Sequence, residues 1–446
     1  MTSFIRPTDS AASAALRVWV VTTGEPLPTD AGGVRLLRHG IVCGMMAERG
    51  WDVTWWTSNF DHTSKIVRQP DSLLAKLKVA HNYQIRLLAS RGYVRNVSWA
   101  RLSDHREIAA GFTRYAAFEP LPDVILCSYP TIELADAATR YGRAHGVPVV
   151  LDIRDLWPDI FIELAPRGLQ WLARWLLLPY QRLGQRALQR AHALIAITDP
   201  ILGWACKSAG RQSQPLDQAF PLACPRPSTM GSLGAQALQE AELSWQQRGV
   251  SRQRFVVCFF GAMGRQFDFE TVLQAAKLME KQCPQALFVL CGQGQMLAQL
   301  QLEAAKRPNL VVPGWLGQAD LQSLMHLSAA GLAPYINEYS FTLSVPNKII
   351  EYLSGGLPVL SCLQGHTQQL LQTHDCGLTY QENQPQSLCD SVLKLFNDAD
   401  LRDHLARQGK ALYERQFTAE QVYSKLLAYL ASIASAKMAE AGRVST

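Results

Sequence analysis

Short apolar runs alternate with amphipathic stretches along most of this chain, and that alternation sets the elements it predicts. The first run, Arg17-Val-Trp-Val-Val-Thr-Thr23, reads as a strand. A loop over 24–33 leads into a helix over 34–49, which Gly50 stops. Trp51-Asp-Val-Thr-Trp-Trp-Thr-Ser58 is the next strand. Strands over 123–127, 148–153 and 194–198 and a helix over 132–145 complete a first series. Pro215, Pro221, Pro225 and Pro227 then cluster in a less regular stretch. A second series follows, with strands over 254–261, 286–291, 309–312, 331–334 and 357–361. Its helices cover 269–282, 295–306 and 386–396, with a long final helix over 418–440.

Strands alternating with helices predict parallel sheets. The expected fold class is therefore α/β, with two doubly wound domains and ligands at the carboxyl ends of their strands. The expected divisions are a loose tail at 1–15, a first domain at 16–210, a linker at 211–250, a second domain at 251–416 and a returning helix and tail at 417–446.

The densest chemical signal is Val345-Pro-Asn-Lys-Ile-Ile-Glu351-Tyr-Leu-Ser-Gly-Gly-Leu-Pro358-Val-Leu-Ser361. Pro346 suits the start of a helix, where its missing N–H costs nothing. Gly355-Gly356 suits the end of one. The first-turn N–H groups, from Asn347 onward, favour an anion. Lys348 can neutralise a phosphate or decorate the surface. Glu351 can accept both ribose hydroxyls or pair with Lys348 one turn away. Two loops at strand ends repeat the theme. In Phe260-Gly-Ala-Met-Gly-Arg265, Gly261 and Gly264 admit a ligand to the backbone, and Arg265 offers a phosphate fork. In Cys291-Gly-Gln-Gly294, Gly292 and Gly294 leave room for a base or sugar. Taken singly, each loop reads first as ordinary turn chemistry, and their recurrence at successive strand ends is the stronger sign.

The first series holds other candidates. Thr29-Asp-Ala-Gly-Gly33 is a loop of backbone donors, with Arg35 and Arg38 just beyond it. Asp61, His62 and Lys65 follow a strand end, and Asp155 follows another. Asp155 can equally cap a helix or pair with Arg154. The only Asp-x-Asp spacing, Asp398-Ala399-Asp400, reads as a helix cap, so no metal site is expected.

Charge sharpens this picture. The formal net charge is +6, yet residues 65–114 carry ten Lys and Arg against three acids. That excess fits a phosphate-bearing partner or an anionic surface, as well as a solvated helical face. Ten cysteines without paired metal spacing suggest a reduced chain with small buried thiols. No apolar run reaches the roughly 18 residues of a membrane span. Trp171, Leu172, Trp175, Leu176, Leu177 and Leu178 are interleaved with arginines around Pro179. This helix suits a membrane interface or an ordinary core.

Taken in order, the Gly-Gly loop with Arg35, 51–58, Phe60-Asp-His62, Arg154-Asp-Leu-Trp-Pro158, 261–268 and 346–358 resemble glycosyltransferase family 4. The resemblance spans roughly 17–430 and is nearest to enzymes of bacterial surface polysaccharide synthesis. It implies a GT-B fold: two facing Rossmann-like domains, with the last helix crossing back to the first. It also implies retaining transfer from a nucleotide sugar, usually UDP-linked, bound by the second domain. The family's Glu-x7-Glu pair maps its ribose-binding member onto Glu351, while its first member is Leu343 here. The histidine many relatives carry is absent from Cys127-Ser-Tyr129.

The expected reading is thus a cytoplasmic enzyme, peripheral on the inner face of the membrane, with no cofactor beyond its UDP-sugar donor. Arg265, Lys348, Glu351 and Asp155 are its catalytic candidates. Gly261, Gly264, Gly292, Gly294, Pro346 and Asn347 join them around the donor. Gly33, Arg35, Asp61, His62 and Lys65 are assigned to a lipid-diphosphate-linked sugar acceptor. No nucleic-acid partner is expected. A sugar-nucleotide epimerase and a non-catalytic nucleotide-sugar-binding subunit are the alternatives.

Overall fold

The computed structural model describes residues 15–444 apart from 31–34, 63, 69–73, 97, 164 and 227–234. The expected tail thus falls almost wholly outside the described residues, as do Gly33 and part of the expected linker.

The alternation of apolar strands and helices builds two sheets. The first contains β1 (Arg17–Val21), β2 (Asp52–Ser58), β5 (Leu74–Ala80), β6 (Tyr83–Leu88), β7 (Val124–Tyr129), β8 (Val149–Ile153), β9 (Ala193–Ala196) and β10 (Gln218–Ala219). Their order is β10-β9-β8-β7-β1-β2-β6-β5. A small hairpin of β3 (Phe60–Asp61) and β4 (Ile66–Val67) leaves the end of β2. The second sheet, β13-β12-β11-β14-β15-β16, contains β11 (Phe255–Ala262), β12 (Ala286–Gln293), β13 (Leu310–Gly314), β14 (Ala330–Ala333), β15 (Val359–Ser361) and β16 (Gly377–Thr379). Its strand pairs are all parallel. In the first sheet the exception is β5, which runs antiparallel to β6.

Burial explains why the strands read as continuous apolar runs rather than alternating ones. Val256 to Phe260 and Ala286 to Leu290 are buried throughout, as parallel strands covered on both faces must be. In the first sheet Trp19 of β1 meets Trp56 of β2 edge-on at 5.3 Å, and Phe112 packs against both.

The chain divides into two compact units. One takes Met1–Asp152, Gln189–Ala193 and Leu427–Thr446, and the other takes Ile153–Leu188 and Leu194–Leu426. Leu427, Leu430, Ile433 and Ala434 of the last helix, Ala419–Val444, are buried. The division places 153–188, and with it Asp155, in the second unit. It also finds structure in the stretch expected to be linker: β10 and the helix Ala235–Gln247.

The first helix begins later than the expected residue 34, at Arg38. Its start is set from a distance, because Leu37 at the N-cap makes no side-chain cap. Instead the Glu25 carboxylate accepts from the backbone N–H of His39 at 3.0 Å and of Gly40 at 3.4 Å. A capping carboxylate brought in by the preceding loop does the work a local Ser or Asp would otherwise do.

Candidate functional site

Strands β11 and β12 pair in register to their ends, Phe260 with Cys291 and Gly261 with Gly292. The loops that follow press together. Met263 N–H donates to Gln293 O at 2.8 Å and accepts, through its own carbonyl, from Met296 N–H at 3.0 Å. Gly292 and Gly294 both lie at φ +150°, where a Cβ would strike the carbonyls of Gly261 and Met263 respectively. Close approach of the two loops therefore requires these glycines, whatever they hold. Gly261 faces a different neighbour: a Cβ there would lie 2.5 Å from Lys348 Nζ. Beyond it, Gly264 packs on the Gln266 side chain. Arg265 is exposed and makes no ion pair among the described residues.

Lys348 belongs to the helix Asn347–Ser354, which Pro346 precedes with extended backbone and Gly356 follows at φ +68°. Of the two roles open to Lys348 from its spacing, surface decoration is excluded, because it is 6% exposed. Its ammonium donates to the Phe260 carbonyl and stands over the Phe259 ring at 4.2 Å. Aromatic faces attract such a cation in a dry setting. The buried charge thus sits at the carboxyl end of β11, beside Gly261. Glu351 is one turn further on and half-buried. Burial, and then the nearby Glu351 carboxylate, raise the Tyr335 phenol above its ordinary range.

Other loops lock the surroundings. Phe267 and Tyr335 form an isolated antiparallel bridge. Thr198 Oγ1 donates to Leu343 O at 2.6 Å, and Thr367 Oγ1 to Ser344 O at 2.9 Å. The turn carrying Leu343 is therefore held through its backbone, not through a carboxylate. Asn337, which sequence reasoning passed over, donates to Glu382 and the Cys362 carbonyl and accepts from Gln364 N–H. A polar residue just after a strand end was the available signal.

In the first unit, His62 and Lys65 come together around Tyr93. His62 Nδ1 lies 2.6 Å from the Tyr93 hydroxyl and 3.4 Å from Lys65 Nζ. Lys65 also donates to Asn96 at 2.7 Å and stands over the Tyr93 ring, as Arg101 does. Burial first, then the charges of Lys65 and Arg101, lower His62 to about 4. It is therefore neutral near pH 7, with one ring nitrogen donating and the other accepting, and Nδ1 already engaged by Tyr93. Asp61 accepts from the Ser64 hydroxyl at 2.9 Å, and Arg35 is exposed.

The expected basic excess over 65–114 is smaller in three dimensions. Arg68 makes a fork with Asp30, and buried Arg86 pairs with Glu119, both acids from outside that segment. Arg91 pairs with Glu107 at 3.3 Å, an acid already counted within the segment.

Arg38 does not join Arg35 at the surface. It is buried, and its guanidinium holds Asp152 of β8 at 2.7 and 3.2 Å. His39 bridges the same carboxylate, at 3.3 Å, to Glu25, at 2.8 Å. A carboxylate in the apolar run of β8 was the sequence signal for this network, because a buried charge demands partners. Asp155 accepts from Leu156 N–H at 2.8 Å, closing the turn after β8. Glu163 and Glu338 are both raised, by burial and then by neighbouring carboxylates that include Asp155. Asp398 accepts from Leu401 N–H and caps the next helix, the role expected for it. Among the described residues no cluster of His, Cys, Asp or Glu could hold a metal ion.

Chemically, the second unit offers a dry ammonium, glycine backbone at two adjoining strand ends, a helix N-terminus and a carboxylate one turn in. Residues 254–398 match the family profile of glycosyl transferases group 1. No curated protein shows significant similarity to the chain. Among solved structures, sucrose-phosphate synthase from Thermosynechococcus elongatus aligns at 14% identity and a TM-score of 0.69, covering 94% of this chain and 100% of its own. HepE from Anabaena, in complex with UDP, aligns at 14% identity and 0.61, with coverage of 94% and 100%. WaaG, a glycosyltransferase involved in lipopolysaccharide biosynthesis, aligns at 15% and 0.63, with coverage of 93% and 99%. The fold is GT-B, and the second unit carries a glycosyl transferases group 1 domain.

Proposed function

We propose that this protein is a retaining glycosyltransferase acting in cell-surface polysaccharide synthesis. It moves an N-acetylhexosamine or a related hexose from a UDP-sugar to a lipid-diphosphate-linked sugar or oligosaccharide. The observation that carries the donor half is buried Lys348 at the carboxyl end of β11, beside Gly261, with Glu351 one turn along the same helix. HepE, of the same fold, has been solved with UDP-glucose as well as UDP, which supports a nucleotide-sugar donor.

In this reading the diphosphate lies at the N-terminus of Asn347–Ser354, where backbone N–H groups and the helix dipole favour negative charge. Lys348 and Arg265 neutralise the leaving diphosphate without a divalent ion, and fixed charge of this kind often accelerates a reaction more than any other single effect. Glu351 accepts the ribose hydroxyls. Gly261, Gly264, Gly292 and Gly294 bring backbone close to the nucleotide. Arg35, Asp61, His62 and Lys65, with the loop of Gly33, receive the acceptor, and Asp155 adds a carboxylate to the reaction site. The enzyme works in the cytoplasm at the inner face of the membrane.

The test is a UDP-release screen of sugar nucleotides against short lipid-diphosphate sugars, with the product anomer read by NMR. An inverted anomer would overturn retention. Conversion of UDP-N-acetylglucosamine without acceptor would mark an epimerase instead, and binding without release a non-catalytic subunit. Glu351→Ala is expected to weaken UDP binding by about 2–3 kcal/mol in calorimetry, at least the worth of one hydrogen bond to a charged group. Unchanged affinity would remove Glu351 from the ribose.

A further inference from the structure

The helix Gln170–Arg190 leaves most of its apolar surface in water. Of its 21 residues only Gly184, Ala187 and Leu188 are buried, all in its second half. Trp171 and Trp175 are 69% and 68% exposed, and Leu176 and the preceding Leu169 are also exposed. Trp171, Trp175 and Leu178 recur at spacings of four and three, so they share one face. Arg174, Arg182 and Arg186 continue the rows beside them, all exposed and without ion pairs among the described residues. Arg190 is spoken for, bound to Asp136. The helix contains no Asp or Glu.

A core helix would have buried its tryptophans, so the core alternative left open by the spacing fails. Two large aromatic rings and Leu178, sharing one face and held in water, mark a docking surface. The charges choose the occupant. A second copy would set one carboxylate-free, arginine-bearing face against another. An anionic lipid surface instead accepts the rings at its headgroup level and offers a phosphate to each guanidinium. No helix among the described residues is long and apolar enough to cross a membrane.

We propose that the segment from Leu169 to Leu178 docks in the headgroup layer of an anionic membrane, with Arg174, Arg182 and Arg186 on lipid phosphates. The proposal deepens the lipid-linked-acceptor reading by naming the surface that meets the lipid. The surface itself is argued from this helix alone.

The full-length protein should co-sediment with phosphatidylcholine vesicles containing about one-third phosphatidylglycerol, and less with phosphatidylcholine alone or in high salt. The double variant Trp171→Ser with Trp175→Ser should lose sedimentation. Arg182→Gln with Arg186→Gln should weaken it about 30-fold. Because these side chains are exposed, each variant should keep the wild-type melting temperature and UDP affinity. Absence of wild-type binding to the anionic vesicles, or wild-type binding by the tryptophan variant, overturns the proposal. So does a wild-type dimer, seen by ultracentrifugation, that the tryptophan variant splits while vesicles bind neither form. UDP release without vesicle binding would sink this surface and leave sugar transfer standing, and vesicle binding without UDP binding would do the reverse.

Discussion

Lys348 and His39 show how far a single residue's neighbours decide its meaning. Spacing left Lys348 between phosphate binding and surface decoration, and burial against Phe259 removed the second option. His39 carried no sequence signal beyond lying next to Arg38, yet it is fully buried between Glu25 and Asp152. Burial alone would lower its pKa, but the two carboxylates outweigh it and the folded value is raised. A raised folded value means stability that is fully present below the unfolded pKa and is lost as pH rises through the folded one. The melting temperature of the first unit should therefore fall as pH is raised from about 6.5, the ordinary histidine value. His39→Gln should flatten that dependence and cost about 3–5 kcal/mol at the acidic end, since it removes the buried cation that Glu25 and Asp152 share. Calorimetry across the pH range checks both, and an unchanged slope in the variant would remove His39 as its source.

At the level of elements, the paired ends of β11 and β12 carry the most constraint. Both strands were legible as apolar runs, and so were the glycines that end them. Their joint purpose was not, because the contact of Gly292 with the Gly261 carbonyl exists only once the strands are in register. Gly292→Ala adds a Cβ at φ +150° against that carbonyl, so it should destabilise the second unit by about 3 kcal/mol or more. Gly264→Ala meets only the end of the Gln266 side chain, which can swing away, and should cost about 1 kcal/mol or less. Equal melting temperatures for the two variants would refute the close-approach account. The first helix teaches the same lesson in reverse. Its apolar periodicity was readable, but its start was not, because the cap comes from Glu25, thirteen residues before the first helical position.

For the whole molecule, the last helix ties the two ends of the sequence together. Its buried Leu427, Leu430 and Ile433 belong to the unit built mainly from residues before 153. Deleting 427–446 should destabilise that unit by on the order of 5 kcal/mol, the worth of two or three buried aliphatic side chains. A calorimetric transition of the first unit that survives truncation unshifted would show that the helix is dispensable. Sequence alone was enough for the alternation of strands and helices, the α/β class and the positions of the glycines and of Lys348 and Glu351. Those features follow from local period and turn chemistry, which act over a few residues. Tertiary structure alone decided that Arg38 turns inward to Asp152, that Asp30 and Glu119 pair with Arg68 and Arg86 of the basic stretch, and that Trp171 and Trp175 stay in water. Burial and ion pairing join residues as distant as Arg38 and Asp152, 114 positions apart, and no periodicity records which distant residue arrives.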